Sequence, residues 1–142
     1  MVVIVLVIGL LGMTRAASDP AQDELTTLGG VYRLVRGEEG GQPISPEIVR
    51  SAKLTLTGDR HVVQLGEETI RGTHVVNPLE TPKSIDATDT AGRFAGKTVK
   101  GIYRFEDGQF TVSFAPPGEP RPTDFNTKDK PGRLLHVWKK TR

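Results

Sequence analysis

The chain has 142 residues, enough for one domain with its own core. Its 19 basic and 17 acidic residues leave a formal charge of only +2, which excludes the strongly basic balance of a nucleic-acid-binding protein. There is no cysteine, so disulfide stapling, a thiol nucleophile and thiolate metal sites are all excluded.

The first predicted element is an export signal over residues 1–16, with an uncleaved signal anchor as the alternative. Val2 to Met13 is apolar apart from Gly9 and Gly12, and Thr14-Arg15-Ala16 places small residues at the −3 and −1 positions of a cleavage site. The run is shorter than the roughly 20 apolar residues that cross a bilayer, so no stable membrane span is expected after cleavage. The expected location is periplasmic or extracellular. Basic residues gather between Arg121 and Arg142, opposed there only by Asp124 and Asp129. They are expected to face acids of the same fold, such as Glu38 and Glu39.

Residues 17–29 read as a linker, polar from Ser18 to Gln22, with room for a helical turn or two between Asp23 and Leu28. From Gly30 to Lys140 the chain reads as about eight short strands with one short helix. Val31 to Arg36 is the first strand. The helix lies in Ile44 to Ser51, where Ser45 suits the N-cap and Pro46 the first helical position. Ala52, Leu54 and Leu56 then alternate with Lys53, Thr55 and Thr57, and Gly58-Asp59 suits a two-residue hairpin turn. After His61 to Leu65, the next strand places Ile70, Gly72, His74 and Val76 on one side. A short strand follows at Ser84 to Thr88.

Thr98 to Phe105 alternates again, with Val99, Gly101, Tyr103 and Phe105 on one face. Asp107-Gly108 is a strong hairpin signal, leading to Phe110, Val112 and Phe114 on one face of the next strand. A loop rich in proline and charge spans 116–132 before the last strand, Leu134 to Lys139. Short connections favour a sequential meander. Eight antiparallel strands suffice to close a barrel and remove both sheet edges. The expected fold is all-β: a small antiparallel up-and-down barrel over residues 30–142.

Few motifs carry chemistry. Ala91 to Thr98 ends in the Gly-Lys-Thr of a phosphate loop, but a strand pattern follows where that loop requires a helix, so a flexible loop is the reading. His61, His74 and His136 fall on three different strands, with no ligand spacing. No nucleophile elbow or His-Glu-x-x-His helix is present, so no catalytic residue, metal or cofactor is assigned and no enzyme is expected. In the 116–132 loop, Arg121 is held between Pro120 and Pro122, and Phe125 is an apolar residue in a polar stretch. Phe125 is expected to fold back and plug one end of the barrel. Arg121 is expected to meet a rim carboxylate or an anionic ligand.

Four segments carry a family resemblance: Leu28-Gly-Gly-Val-Tyr32, Leu54-Thr-Leu-Thr-Gly-Asp59, Gly101-Ile-Tyr-Arg-Phe105 and Phe114-Ala-Pro-Pro-Gly-Glu-Pro-Arg-Pro-Thr-Asp-Phe125. Together they resemble the planctomycete lipocalin-like domain family of unknown function, over about Glu24 to Lys140. The family pattern has Gly-Thr-Trp where this chain has Gly30-Val31-Tyr32, and an aromatic at His74. The resemblance implies a lipocalin-like barrel and an exported protein, and brings no catalytic residues.

Such a barrel is just wide enough to be filled by side chains or to hold one small ligand. The expected function is binding of a small apolar ligand, with Leu54, Leu56, His74, Tyr103, Phe105, Phe110 and Phe114 as lining residues. The alternative is a cell-envelope interaction module that uses Arg121, Pro122, Phe125 and the basic tail on a solidly packed barrel.

Overall fold

The computed structural model describes residues 17–142 together with Gly12. The rest of the apolar leader, and with it the export-signal reading, lies outside the described residues. The first element is helix α1, Pro20–Leu28. Asp19 caps it by accepting from the Ala21 amide at 3.0 Å, and Pro20 occupies the first turn, where its missing N–H is no loss. Residues 17–29 are therefore not a linker. Leu28 is almost wholly buried, and the Tyr32 hydroxyl donates to the Leu28 carbonyl at 2.6 Å, so α1 is docked as the floor of the domain.

The strands follow as β1 (Gly30–Glu39), the two-residue β2 (Gln42–Pro43), β3 (Lys53–Thr57) and β4 (Arg60–Leu65). After them come β5 (Glu68–Asn77), β6 (Lys83–Ala91), β7 (Thr98–Glu106), β8 (Gln109–Phe114) and β9 (Leu134–Lys140), and helix α2 (Pro46–Ser51) lies between β2 and β3. From β3 to β9 each strand pairs antiparallel with the next. β1 pairs with β3 on one side and β9 on the other, so eight strands close a ring and β2 merely extends β1. The fold is the closed, all-β, up-and-down barrel that the alternation predicts. Asp107 and Gly108 both take positive φ (52° and 74°), the conformation that a tight turn between right-twisted strands demands.

Two irregularities decide what faces inward. The β1–β9 register slips between Leu34 and Arg36, leaving Val35 as the extra residue. Before this bulge Tyr32 and Leu34 point inward; after it the phase flips, and Glu39 lines the barrel mouth. A second slip, at Arg71/Gly72 on β5 against β6, sets Gly72 opposite Asp89.

The interior is solid at the α1 end. The Phe110 ring lies 6.0 Å from Tyr32 and 5.8 Å from Tyr103 in tilted geometry, and both tyrosines are essentially inaccessible. Burial raises the Tyr32 pKa to about 12, and burial followed by the nearby Glu24 carboxylate raises that of Tyr103. Lys83 pairs with Glu24 at 2.9 Å and ties β6 to α1.

The loop between β8 and β9 covers the outside of the barrel. Ile102, Leu135 and Val137 face away from the barrel axis yet are buried, as are Pro122 and Thr127 of the loop. Arg121 anchors it, donating to the Gly101 carbonyl at 2.9 Å and the Ile85 carbonyl at 3.2 Å while pairing with Asp86 at 2.7 Å. Thr127 fixes the far end, donating to Glu38 at 2.7 Å and accepting from the Gly41 amide. Phe125 does not plug the barrel. It stacks with the Arg104 guanidinium on the outer face, 4.8 Å from the ring centroid, because Arg121 holds the loop outside and α1 already fills the floor.

Candidate functional site

Above the aromatic layer the barrel contains a cavity of about 270 Å³. Leu54, Leu56, Ile85, Val112 and Trp138 form much of its wall, each projecting inward by strand alternation. Of the seven lining residues expected from sequence, Leu54, Leu56, His74, Phe110 and Phe114 border this space. Tyr103 and Phe105 do not. They share the inward face of β7 but sit lower, Tyr103 within the floor and Phe105 near the Asp107-Gly108 turn with the Lys140 ammonium over its ring. Arg121, Pro122 and Phe125 belong to the outer loop and stand away from the cavity.

The mouth is framed by α2 and the 91–97 loop. Ser45 caps α2, accepting from the Ile48 amide, and presents Ile48 beside Ile44 at the rim. Across from them the Arg93 amide donates to Glu68 at 3.0 Å, and the Arg93 guanidinium pairs with Glu39 at 3.1 Å. Arg93 also stacks on its neighbour Phe94, 4.8 Å from the centroid. The phosphate-loop-like segment thus serves as a strap over the opening, with Arg93 bridging from β6 to the end of β1.

A polar chain crosses three neighbouring strands inside this apolar wall. His61 on β4 donates from Nε2 to Asp89 Oδ1 on β6 at 2.9 Å, and its Nδ1 lies 3.1 Å from Nδ1 of His74 on β5. All three side chains are more than nine-tenths buried. The reach from β4 to β6 passes over Gly72: a Cβ there would lie 2.9 Å from His61 Nε2 and closer still to the Thr88 carbonyl. The glycine is required here for space.

One hydrogen lies between the two Nδ1 atoms, so one imidazole donates and the other accepts there. Burial, followed by the neighbouring His61, pushes the His74 pKa down to about 4 against the pull of Asp59 and the Gly58 carbonyl. His136 on β9 also borders the cavity, edge-on to Trp138, and burial with help from Arg93 lowers its pKa to about 4 as well. Both rings are therefore neutral at pH 7 and available as donor and acceptor. Asp89 Oδ1 is occupied by His61. Its other oxygen takes no hydrogen bond from any described residue, and the Asp89 side chain borders the cavity.

Sequence reasoning placed His74 inward but missed Asp89 and its link to His61. The one signal was Gly72 on an otherwise apolar inward face, a gap that invites a neighbouring side chain to cross. Among the described residues no group of three or more His, Cys, Asp or Glu is arranged to hold a metal ion. The chain of contacts explains why: both nitrogens of His61 are committed to its neighbours. No described helix is long and apolar enough to cross a membrane.

No protein-family model, curated protein or solved structure matches this chain. The reading of the site therefore stands on its geometry.

Proposed function

We propose that this protein is an exported, lipocalin-like binding protein that takes one small, mainly apolar molecule into the mouth of its barrel. The observation that carries the reading is the cavity of about 270 Å³, walled by aliphatic and aromatic side chains and floored by a solid aromatic layer. That volume lies near the lower end of ligand pockets. At the packing density of protein interiors it admits a molecule of about ten non-hydrogen atoms. Export rests on the apolar leader; an exported product whose first residue is Ala17 is the expected result of N-terminal sequencing.

The cavity favours binding inside the barrel over recognition by the 116–132 loop, because Arg121 is already held by Asp86 and two carbonyls. Trp138 is the sole tryptophan and lies in the cavity wall, so its emission reports occupancy directly. Titration with nonane and nonan-1-ol should change that emission saturably, with a stoichiometry of one. An emission that stays constant for both, in a folded protein, would overturn the reading.

A further inference from the structure

The polar chain is unusual for an interior that is otherwise apolar. A buried carboxylate is expensive unless hydrogen-bonded, and His61 satisfies only one oxygen of Asp89. The second oxygen has no hydrogen-bond partner among the described residues, on a nine-tenths buried side chain that borders the empty space. A carboxylate oxygen only accepts, so its partner must bring a hydrogen. The mouth has the same bias. The Arg93 guanidinium is already paired with Glu39, while Glu68 accepts only from the Arg93 backbone amide, which leaves the rim with one more carboxylate than cation.

We propose that the polar chain is a head-group subsite, at which Asp89 accepts a hydrogen bond from a hydroxyl or ammonium group carried by the small apolar ligand. This inference rests on the binding reading above and narrows it. The cavity takes alcohols or amines and disfavours carboxylates, the reverse of a fatty-acid carrier. His61 is a positioning residue: its Nε2 fixes one Asp89 oxygen and so aims the other. His74 holds His61 in turn, and Gly72 leaves the corridor clear for both. The hydroxyl and ammonium heads share one chemistry, donation to a carboxylate, and differ in charge.

A set of four probes of equal chain length, read by Trp138 emission on the intact protein, tests this. Nonan-1-ol should bind about tenfold more tightly than nonane, the effect of one hydrogen bond to a charged acceptor. Nonylamine should match or exceed the alcohol, and nonanoic acid should bind most weakly of the polar three. A tighter amine marks a cationic natural ligand, and equal alcohol and amine a neutral one. In Asp89→Asn the amine should lose about tenfold and the acid should gain, with nonane unchanged. A purely structural role for Asp89 would instead shift all four together and overturn the proposal. So would nonane binding as tightly as nonan-1-ol, or nonanoic acid binding best, although the barrel would still be an apolar-ligand binder. Silence of all four probes would remove the binding reading along with the subsite. Should Asp89→Asn fail to fold, ¹⁵N-histidine spectra of the unaltered protein give the same decision. The His61 ring signals should move with nonan-1-ol and stay fixed with nonane; equal movement with both would refute the subsite.

Discussion

The two ends of this barrel are built from similar strands and are filled in opposite ways. At the α1 end, Tyr32, Tyr103 and Phe110 meet at ring distances near 6 Å, and a helix closes over them. At the mouth, the same inward faces carry smaller or polar residues such as Ala87, Asp89 and His136, and the space between them stays open. The floor is sealed by side chains that have nowhere else to go. The mouth is covered only by α2 and by a strap whose Arg93–Glu39 pair is about half exposed on both sides. The lesson is that solid packing and open space are divided along the barrel axis, so changes at one end should leave the other largely untouched.

Truncation gives the largest contrast. Tyr32→Ala removes the floor's central ring and its bond to Leu28, and should cost about 3–5 kcal/mol; Phe94→Ala, on the strap, should cost at most about 1 kcal/mol. Denaturant midpoints measured on the two variants check this, and equal losses would break the division. Acid gives the next effect, and it belongs to the cavity end alone. His74 and His136 have folded pKa values near 4, below the ordinary 6.5 of an unfolded chain. Their contribution is complete above pH 6.5, because both rings are then neutral in either state. Between pH 6.5 and 4 only the unfolded chain takes up protons, so stability falls by about 3 kcal/mol per histidine. Denaturation at pH 7 and 4.5 should show this loss, and His136→Gln should remove about half of it. The smallest effect is expected at the strap. Arg93→Ala breaks an exposed ion pair, so the melting curve should change by less than about 0.5 kcal/mol. Ligand exchange, followed by stopped-flow emission of Trp138, should quicken; an unchanged rate would mean that the strap does not control entry.

Much of the architecture is legible in the residues themselves. Alternation such as Lys53-Leu-Thr-Leu-Thr57 marks a half-buried strand, and Asp107-Gly108 can make the positive-φ turn without strain. The Ser45-Pro46 start of α2 is equally local. What escaped is non-local. The docking of α1 depends on where Leu28 lands, and its polar sequence carries too little periodicity to show it. Glu39 reaches the mouth only because an extra residue at Val35 reverses the strand's phase. Asp89 reads as loop after Thr88, whereas β6 runs on to Ala91 and turns its carboxylate inward. Phe125 looks like a plug because an isolated aromatic gives no hint that Arg104 awaits it on the outside.

Gly72 has a wider consequence for the molecule. A β-wall normally insulates alternate strands from each other, since the strand between them fills the gap with its own side chains. Here the missing methyl on β5 opens a notch, and through it β4 and β6 become electrical neighbours. A change of charge at the carboxylate on one strand is therefore felt by an imidazole two strands away, without any movement of the backbone between them.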